Sequence, residues 1–262
     1  MQGEGEEWRI VTGGFSSPMH IALDRVITRR VAEGESPPTL RFWDWQNPTV
    51  VIGRFQSLKE EVFEDMAEKH DVEVVRRTTG GGAMFCEPRD VITYSLSLPE
   101  SWLESDDIVE SYRELENWSL EAMDSIGAEA EHQPINDIVK GEKKIGGSAQ
   151  ARRGGTVLHH TMLAYDLDVE KMLKVLRIGE EKISDKAVKS AEKRVSPLSD
   201  QVDLPRGEVI ERMVESFAQG RSVRSGSLQE EEVEEAEELV EQRYGTDEWK
   251  YRVDREIEGL EQ

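Results

Sequence analysis

Cysteine is nearly absent from this 262-residue chain. The single residue, Cys86, excludes an intrachain disulfide and any thiolate-rich zinc cluster, and it suits a reducing cytoplasm. Positive charge is also scarce, with 33 lysines and arginines against 55 aspartates and glutamates, a formal net charge of −22 at pH 7. Such a surface repels phosphate backbones, so nucleic acid is not an expected partner. Apolar runs such as Thr49-Val-Val-Ile-Gly53 are too short to span a bilayer, so no membrane partner is expected. The first residues have neither the basic nor the apolar region of a secretory signal. Several catalytic signatures are missing too. The glycine spacings of P-loop and Rossmann proteins, the G-x-S-x-G elbow and the H-E-x-x-H helix do not occur.

What is present is enough for a real core. Apolar residues make up 37%, and counting the 21 glycines brings the share into the ordinary globular range. The length suits one large domain, or one domain with an appendage. Ser17 as N-cap and Pro18 as first helical residue open a helix whose apolar face is Met19, Leu23, Val26 and Ile27. Strands are predicted over 39–45, 49–52, 72–75 and 91–98, with strand-rich sequence from 142 to 166. An amphipathic helix spans 107–126 and stops at Gly127; others follow at about 168–177, 207–218 and 228–244. Strands and helices mix without βαβ alternation or internal repeats. The expected class is α+β, a mixed or antiparallel sheet with helices packed on it. The stretch 220–226 reads as a linker. Residues 1–220 then form the catalytic unit, and 221–262 a short acidic helical extension of the same domain.

Two segments break the acidic rule. Val74–Phe85 (VVRRTTGGGAMF) carries Arg76 and Arg77 and no acid. Ile138–His160 carries Lys140, Lys143, Lys144, Arg152 and Arg153 against Glu142 alone. Both contain glycine clusters, Gly80-Gly81-Gly82 and Gly146-Gly147. Glycine lets backbone N–H groups approach a ligand, and phosphate is the usual one. Of the five histidines, His20 and His70 read as structural, while the pair His159-His160 suits a strand or a functional site equally well.

The residues Arg76-Arg-Thr-Thr-Gly-Gly-Gly-Ala83 resemble the R-R-x-[ST]-G-G-G-A signature of lipoate–protein ligases. Asn136-Asp137 followed by Lys144-Ile-Gly-Gly-Ser-Ala149 is similar to that family's N-D…K-[IL]-x-G-[SN]-A element. Leu158-His-His160, Phe42-Trp43 with Val51-Ile-Gly-Arg-Phe-Gln56, and Ser190–Leu198 resemble further elements, all in the family's order. The resemblance implies an α+β ligase fold and a two-step reaction. Lipoate and ATP give lipoyl-AMP, and the acyl group then passes to a lysine of a lipoyl carrier, a 2-oxoacid dehydrogenase E2 domain or the glycine-cleavage H protein. Lys144 is the implied catalytic cation. Arg76, Arg77, Gly80, Gly81, Gly82, Ala83, Asn136, Asp137, Gly147, Ser148, Ala149 and His160 are the implied substrate and nucleotide contacts, with Asp137 the candidate for Mg²⁺.

Departures are visible as well. Cys86-Glu87 stands where the family often has His-Asp, and Thr161-Met162 where it usually has Gly-[ST]. Little sequence follows position 200, so the accessory domain of bacterial ligases is expected to be reduced or supplied by a separate small subunit. Two alternatives stay open. One is octanoyl transfer from acyl-carrier protein, which some relatives perform with a cysteine just before the K-I-x-G element; the stretch Glu129–Asn136 has none. The other is a carrier-binding protein without catalysis. Cys86 reads as a small core residue, although a thiolate beside Arg76 or Arg77 would have a lowered pKa.

Overall fold

The computed structural model describes residues 6–178 and 194–260. Eight strands form the main sheet in the order β11-β1-β2-β6-β10-β9-β8-β7. These are β1 (Glu7–Phe15), β2 (Thr39–Trp45), β6 (Val91–Pro99), β7 (Glu131–Gln133), β8 (Asp137–Lys140), β9 (Lys143–Arg153), β10 (Thr156–Ala164) and β11 (Ser222–Gly226). A second sheet, β4-β3-β5, joins β3 (Thr49–Ile52), β4 (Glu73–Arg76) and β5 (Met84–Cys86). β1 pairs in parallel with both β2 and β11, and the other neighbours in the large sheet are antiparallel. The sheet is therefore mixed, with helices packed on it, as expected.

Alternation sets the two faces of the sheet. On β6, Ile92, Tyr94, Leu96 and Leu98 point into a core closed by the helices Ile108–Ser125 and Arg206–Ala218, around Trp118, Met213 and Phe217. Asp107 caps the first of these helices by accepting from the amides of Val109 and Glu110. The opposite face of β6 carries Thr93, Ser95 and Ser97, all buried under the helix Ser17–Ala32. Those hydroxyls are not wasted: they bond to Trp45 Nε1, Trp43 Nε1 and Thr28. That helix begins one residue earlier than an N-cap at Ser17 implies, because Ser16 is the extended cap residue and Ser17 is already helical.

The supposed linker is structural. Ser222–Gly226 is the edge strand β11 in register with β1. The acidic helix Glu230–Leu239 then packs on the helix Ser17–Ala32. Its Glu232 is buried in a bidentate pair with Arg9, at 2.7 and 2.8 Å, and also accepts from Ser36 Oγ. A composition rich in Gly, Ser and Arg hides the strand because its pairing comes from β1, more than 200 residues away in sequence.

Candidate active site

The β8–β9 hairpin carries Lys144. Its Nζ donates to Asp137 Oδ1 at 2.6 Å, and both side chains are about half exposed, 52% and 40%. Gly147 lies opposite Asp137 in the ladder. A Cβ at Gly147 would sit 3.3 Å from Lys144 Nζ and 3.4 Å from Asp137 Oδ1, so glycine leaves space for this pair. Gly146 is required for another reason, since a Cβ there would come within 2.3 Å of the Met162 carbonyl oxygen. Asn136 holds the hairpin: its Nδ2 donates to the Ser148 carbonyl at 2.6 Å, and the Ser148 amide donates back to the Asn136 carbonyl. Ser148 is buried, its hydroxyl 2.8 Å from Thr161 Oγ1, and Ala149 is buried opposite His160. Of the late motif, Ser190 to Lys193 lie outside the described residues. Its remainder lies beside the lysine, where the Lys144 amide donates to the Arg194 carbonyl and Lys144 accepts from Ser196 N.

The glycine-rich segment has the opposite character. Arg76 and Arg77 are buried, at 0% and 2% exposure, and their guanidinium groups face protein carbonyls, not solvent. Arg77 donates to the carbonyls of Gly80, Gly82 and Val51 and to Thr79 Oγ1, and burial lowers it to about 10, still charged at neutral pH. Arg76 donates to the carbonyls of Gly53, Arg54, Gln56, Trp249 and Lys250. The resemblance implies both as substrate and nucleotide contacts; in this structure their donors are taken up within the protein. A buried guanidinium persists only when its donors are matched, and here backbone oxygens match them. What the segment does offer outward is its backbone at Gly80–Gly82 and Ala83. Gly81 needs its left-handed φ of 91°, and Gly53 admits the loop because a Cβ there would lie 2.0 Å from the Gly81 carbonyl oxygen.

His160 is likewise not a surface ligand. It lies buried under the glycine loop, with Nε2 2.8 Å from Thr79 Oγ1 and Nδ1 3.3 Å from Asp24 Oδ2. Arginine can only donate, so Thr79 accepts from Arg77 and sends its proton to His160 Nε2; the imidazole then carries its proton on Nδ1, toward Asp24. Asp24 Oδ1 also accepts from Arg41 Nη2 at 2.6 Å and Ser95 Oγ at 2.7 Å. Burial pushes the Asp24 carboxyl up, but the Arg41 charge and the His160 and Ser95 hydrogen bonds outweigh it, leaving it below the usual range. Burial keeps His160 neutral despite Asp24. Sequence reading missed Asp24 and Thr79. The available signal was an aspartate among the apolar residues of the first helix, which must be paired wherever it is buried.

Cys86 is sealed. It is 0% exposed, its thiol donates to Met162 Sδ at 3.6 Å, and burial pushes it up to about 12 against the lowering effect of Arg77. The expected lowering of a thiolate beside these arginines is therefore reversed by desolvation. On the far face of the sheet, Glu116 and His132 form a buried pair at 2.6 Å that the sequence did not reveal. Among the described residues, no group of three or more His, Cys, Asp or Glu side chains could hold a metal ion. A lone Asp137 fits Mg²⁺ only where substrate phosphates supply further oxygens.

With this geometry in view, the lipoyl protein ligase A/B catalytic domain model matches residues 17–218. The chain belongs to that family. Octanoyltransferase LipM of Brevibacillus brevis is 31% identical over 94% of this chain and 99% of its own. An archaeal bi-partite lipoate protein ligase of Thermoplasma acidophilum, studied with its E2 lipoyl domain, superposes with a TM-score of 0.85 at 30% identity, covering 95% of this chain and 97% of that one. Lipoate-protein ligase A bound with ATP gives 0.82 at 28% identity, over 94% and 99% of the two chains. The lipoyl ligase match ends at residue 218, whereas Arg76 of the signature takes acceptors from Trp249 and Lys250, beyond it. No helix among the described residues is long and apolar enough to cross a membrane.

Proposed function

We propose that this enzyme is an ATP-dependent lipoate–protein ligase. The observation that carries the reading is the contrast between its only thiol and its hairpin lysine. A thiol route of acyl transfer needs an accessible thiolate, and Cys86 is buried with its pKa raised to about 12. Lys144 is exposed and already holds a carboxylate oxygen at 2.6 Å.

In the first step a lipoate carboxylate oxygen attacks the α-phosphorus of ATP and expels pyrophosphate. Negative charge crowds between carboxylate and phosphate, and a fixed cation touching both lowers the barrier. Lys144 takes that role by exchanging Asp137 for substrate oxygens. The backbone of Gly80–Gly82 and Ala83 lines the phosphate side, and Asn136, Gly147, Ser148 and Ala149 shape the hairpin wall. Mg²⁺, held by Asp137 together with the phosphates, would neutralise the leaving pyrophosphate. In the second step a carrier lysine amine attacks the acyl carbonyl, releasing AMP and a proton. The client is a lipoyl carrier, an E2 domain or H protein, and the bi-partite Thermoplasma enzyme supports a separate accessory subunit.

The LipM likeness favours a second reading, octanoyl transfer from acyl-carrier protein. The test is incubation with ATP, Mg²⁺ and lipoate or octanoate, scored for acyl-AMP by mass spectrometry. Parallel reactions supply carrier with pre-made lipoyl-AMP, or with octanoyl-acyl-carrier protein and no ATP. Ligase activity predicts transfer from lipoyl-AMP, and acyl-AMP formation that rises with an accessory subunit. Octanoyl-carrier formed without ATP would sink the ligase reading.

A further inference from the structure

The first arginine of the signature motif, Arg76, has no solvent exposure, and its donors divide between two segments. Nη1 reaches the carbonyls of Gly53, Arg54 and Gln56 at 3.0, 3.2 and 2.6 Å. Nε and Nη2 reach the Lys250 carbonyl at 3.1 and 2.6 Å, and Nε also reaches Trp249 at 3.0 Å. The link is reciprocal, because Trp249 Nε1 donates to the Arg76 carbonyl at 2.9 Å.

A second tie runs through Asp254 in the last helix, Arg252–Leu260. This buried carboxylate accepts from Ser57 Oγ at 2.6 Å and from the amides of Leu58 and Lys59 at 3.0 and 3.1 Å, and it stands 3.8 Å from Arg76 Nη2. Arg252 Nη2 donates to the Arg54 carbonyl as well. Residues 53–57 are thus gripped from the C-terminal side. They in turn abut the glycine loop: the Arg54 amide donates to the Thr79 carbonyl at 2.8 Å, and Gly53 lies against the Gly81 carbonyl with no room for a Cβ.

We infer that the segment from Trp249 to Asp254 is a strut for the glycine-rich loop. Through Arg76 it fixes residues 53–57, and with them Gly80–Gly82, in the conformation that meets substrate. Trp249 and Asp254 are positioning residues of the active site, although they lie outside the matched catalytic region. The inference rests on the ligase reading only where it speaks of substrate. Carbonyl acceptors on a guanidinium are geometrically demanding, since a planar fork must meet several oxygens at once, and lysine cannot reproduce it.

The test uses the full chain, with amide hydrogen exchange as the readout. Trp249→Ala and Arg76→Lys are expected to speed exchange in residues 77–84 by about 10-fold or more while the centre of β6 keeps its protection. Trp249→Phe, which keeps an aromatic ring but loses the indole donor and part of the ring volume, covers the case in which Trp249→Ala does not fold; a smaller rise in the same residues is expected. In turnover, the KM for ATP should rise with kcat little changed, a split that general destabilisation does not produce. Wild-type exchange in 77–84 in these variants, or a uniform rise across the whole sheet, overturns the strut. Exchange is read without turnover, so a wild-type chain that makes no acyl-adenylate counts against the ligase reading alone.

Discussion

The two basic, glycine-rich segments look alike in sequence and behave as opposites in the fold. Arg76–Ala83 encloses its cations and uses them on backbone oxygens, whereas Asp137–Ala149 leaves Lys144 half exposed beside one carboxylate. The first segment converts charge into shape, and the second keeps charge available for chemistry. Charge excess in a sequence window therefore reports that cations are needed, not where they point. The deciding quantity is the supply of acceptors: Arg77 meets three carbonyls within its own loop and β3, while the Lys144 ammonium has, among the described residues, an ion pair that a substrate can replace.

Removing one cation from each segment sharpens this contrast. Lys144→Ala should lower acyl-adenylate formation about 10²–10³-fold. Its stability should change by less than about 1 kcal/mol, because its pair with Asp137 is half exposed and screened. Pyrophosphate release and urea unfolding measure the two sides. A near-normal rate in Lys144→Ala with loss in Lys143→Ala would move the catalytic role to the neighbouring residue. Arg77→Met should behave otherwise. It strands three carbonyls and Thr79, at about 1–3 kcal/mol for each unsatisfied group, so a stability loss of about 4 kcal/mol or more is expected with weakened activity as a consequence. An Arg77→Met protein as stable as wild type but inactive would mean that this arginine contacts substrate after all.

Much of the fold was legible because its elements follow strong local rules. The helix after Asp107 has a cap and a continuous apolar face, and β6 alternates between core and hydroxyl-bearing residues. Lys144, Asp137 and the glycines were legible through motif spacing. Other features depend on distant partners and were not. β1, β5 and β11 gain their identity from pairing, and the buried Asp24 and Glu116 gain theirs from Arg41, His160 and His132. The burial of Arg76 is not legible in sequence, because Trp249, 173 residues away, cannot be seen beside it.

The buried histidines give the stability of the fold a pH dependence. Burial, with Arg41 adding to it, lowers His20 to about 3, and burial lowers His159 to about 3 as well. Their unfolded-state value is near 6.5. The unfolded chain therefore takes up protons below pH 6.5 that the native protein refuses, and stability falls as pH drops. From pH 7 to 5 each histidine should remove about 2 kcal/mol. His160, also lowered, acts in the same direction. The raised Glu116 acts in the other direction, its cost growing as pH climbs past its unfolded value, while the lowered Asp24 matters only below this window. Urea unfolding at pH 7, 6 and 5 checks the sign, and stability that is flat or rising toward pH 5 would contradict neutral burial of these rings.

The smallest effect is expected at the residue on which the choice between ligase and transferase turns. Cys86 lies in β5 at the end of the glycine segment, fully enclosed, with Met162 Sδ as its hydrogen-bond partner and a thiol pushed up to about 12. Almost none of it is thiolate at neutral pH, and no substrate can reach the sulfur without opening the core around Trp43, Val51 and Val91. Cys86→Ala removes one sulfur from a packed interior and should cost about 1 kcal/mol of stability. Carrier acylation should stay within about twofold of wild type, since adenylate chemistry needs no thiol. Native-state labelling with a thiol reagent should be slow and should become fast only on unfolding. A thioester-linked acyl-enzyme present in the wild type and absent from Cys86→Ala would reverse the comparison, making the buried segment the reactive one and Lys144 its accessory.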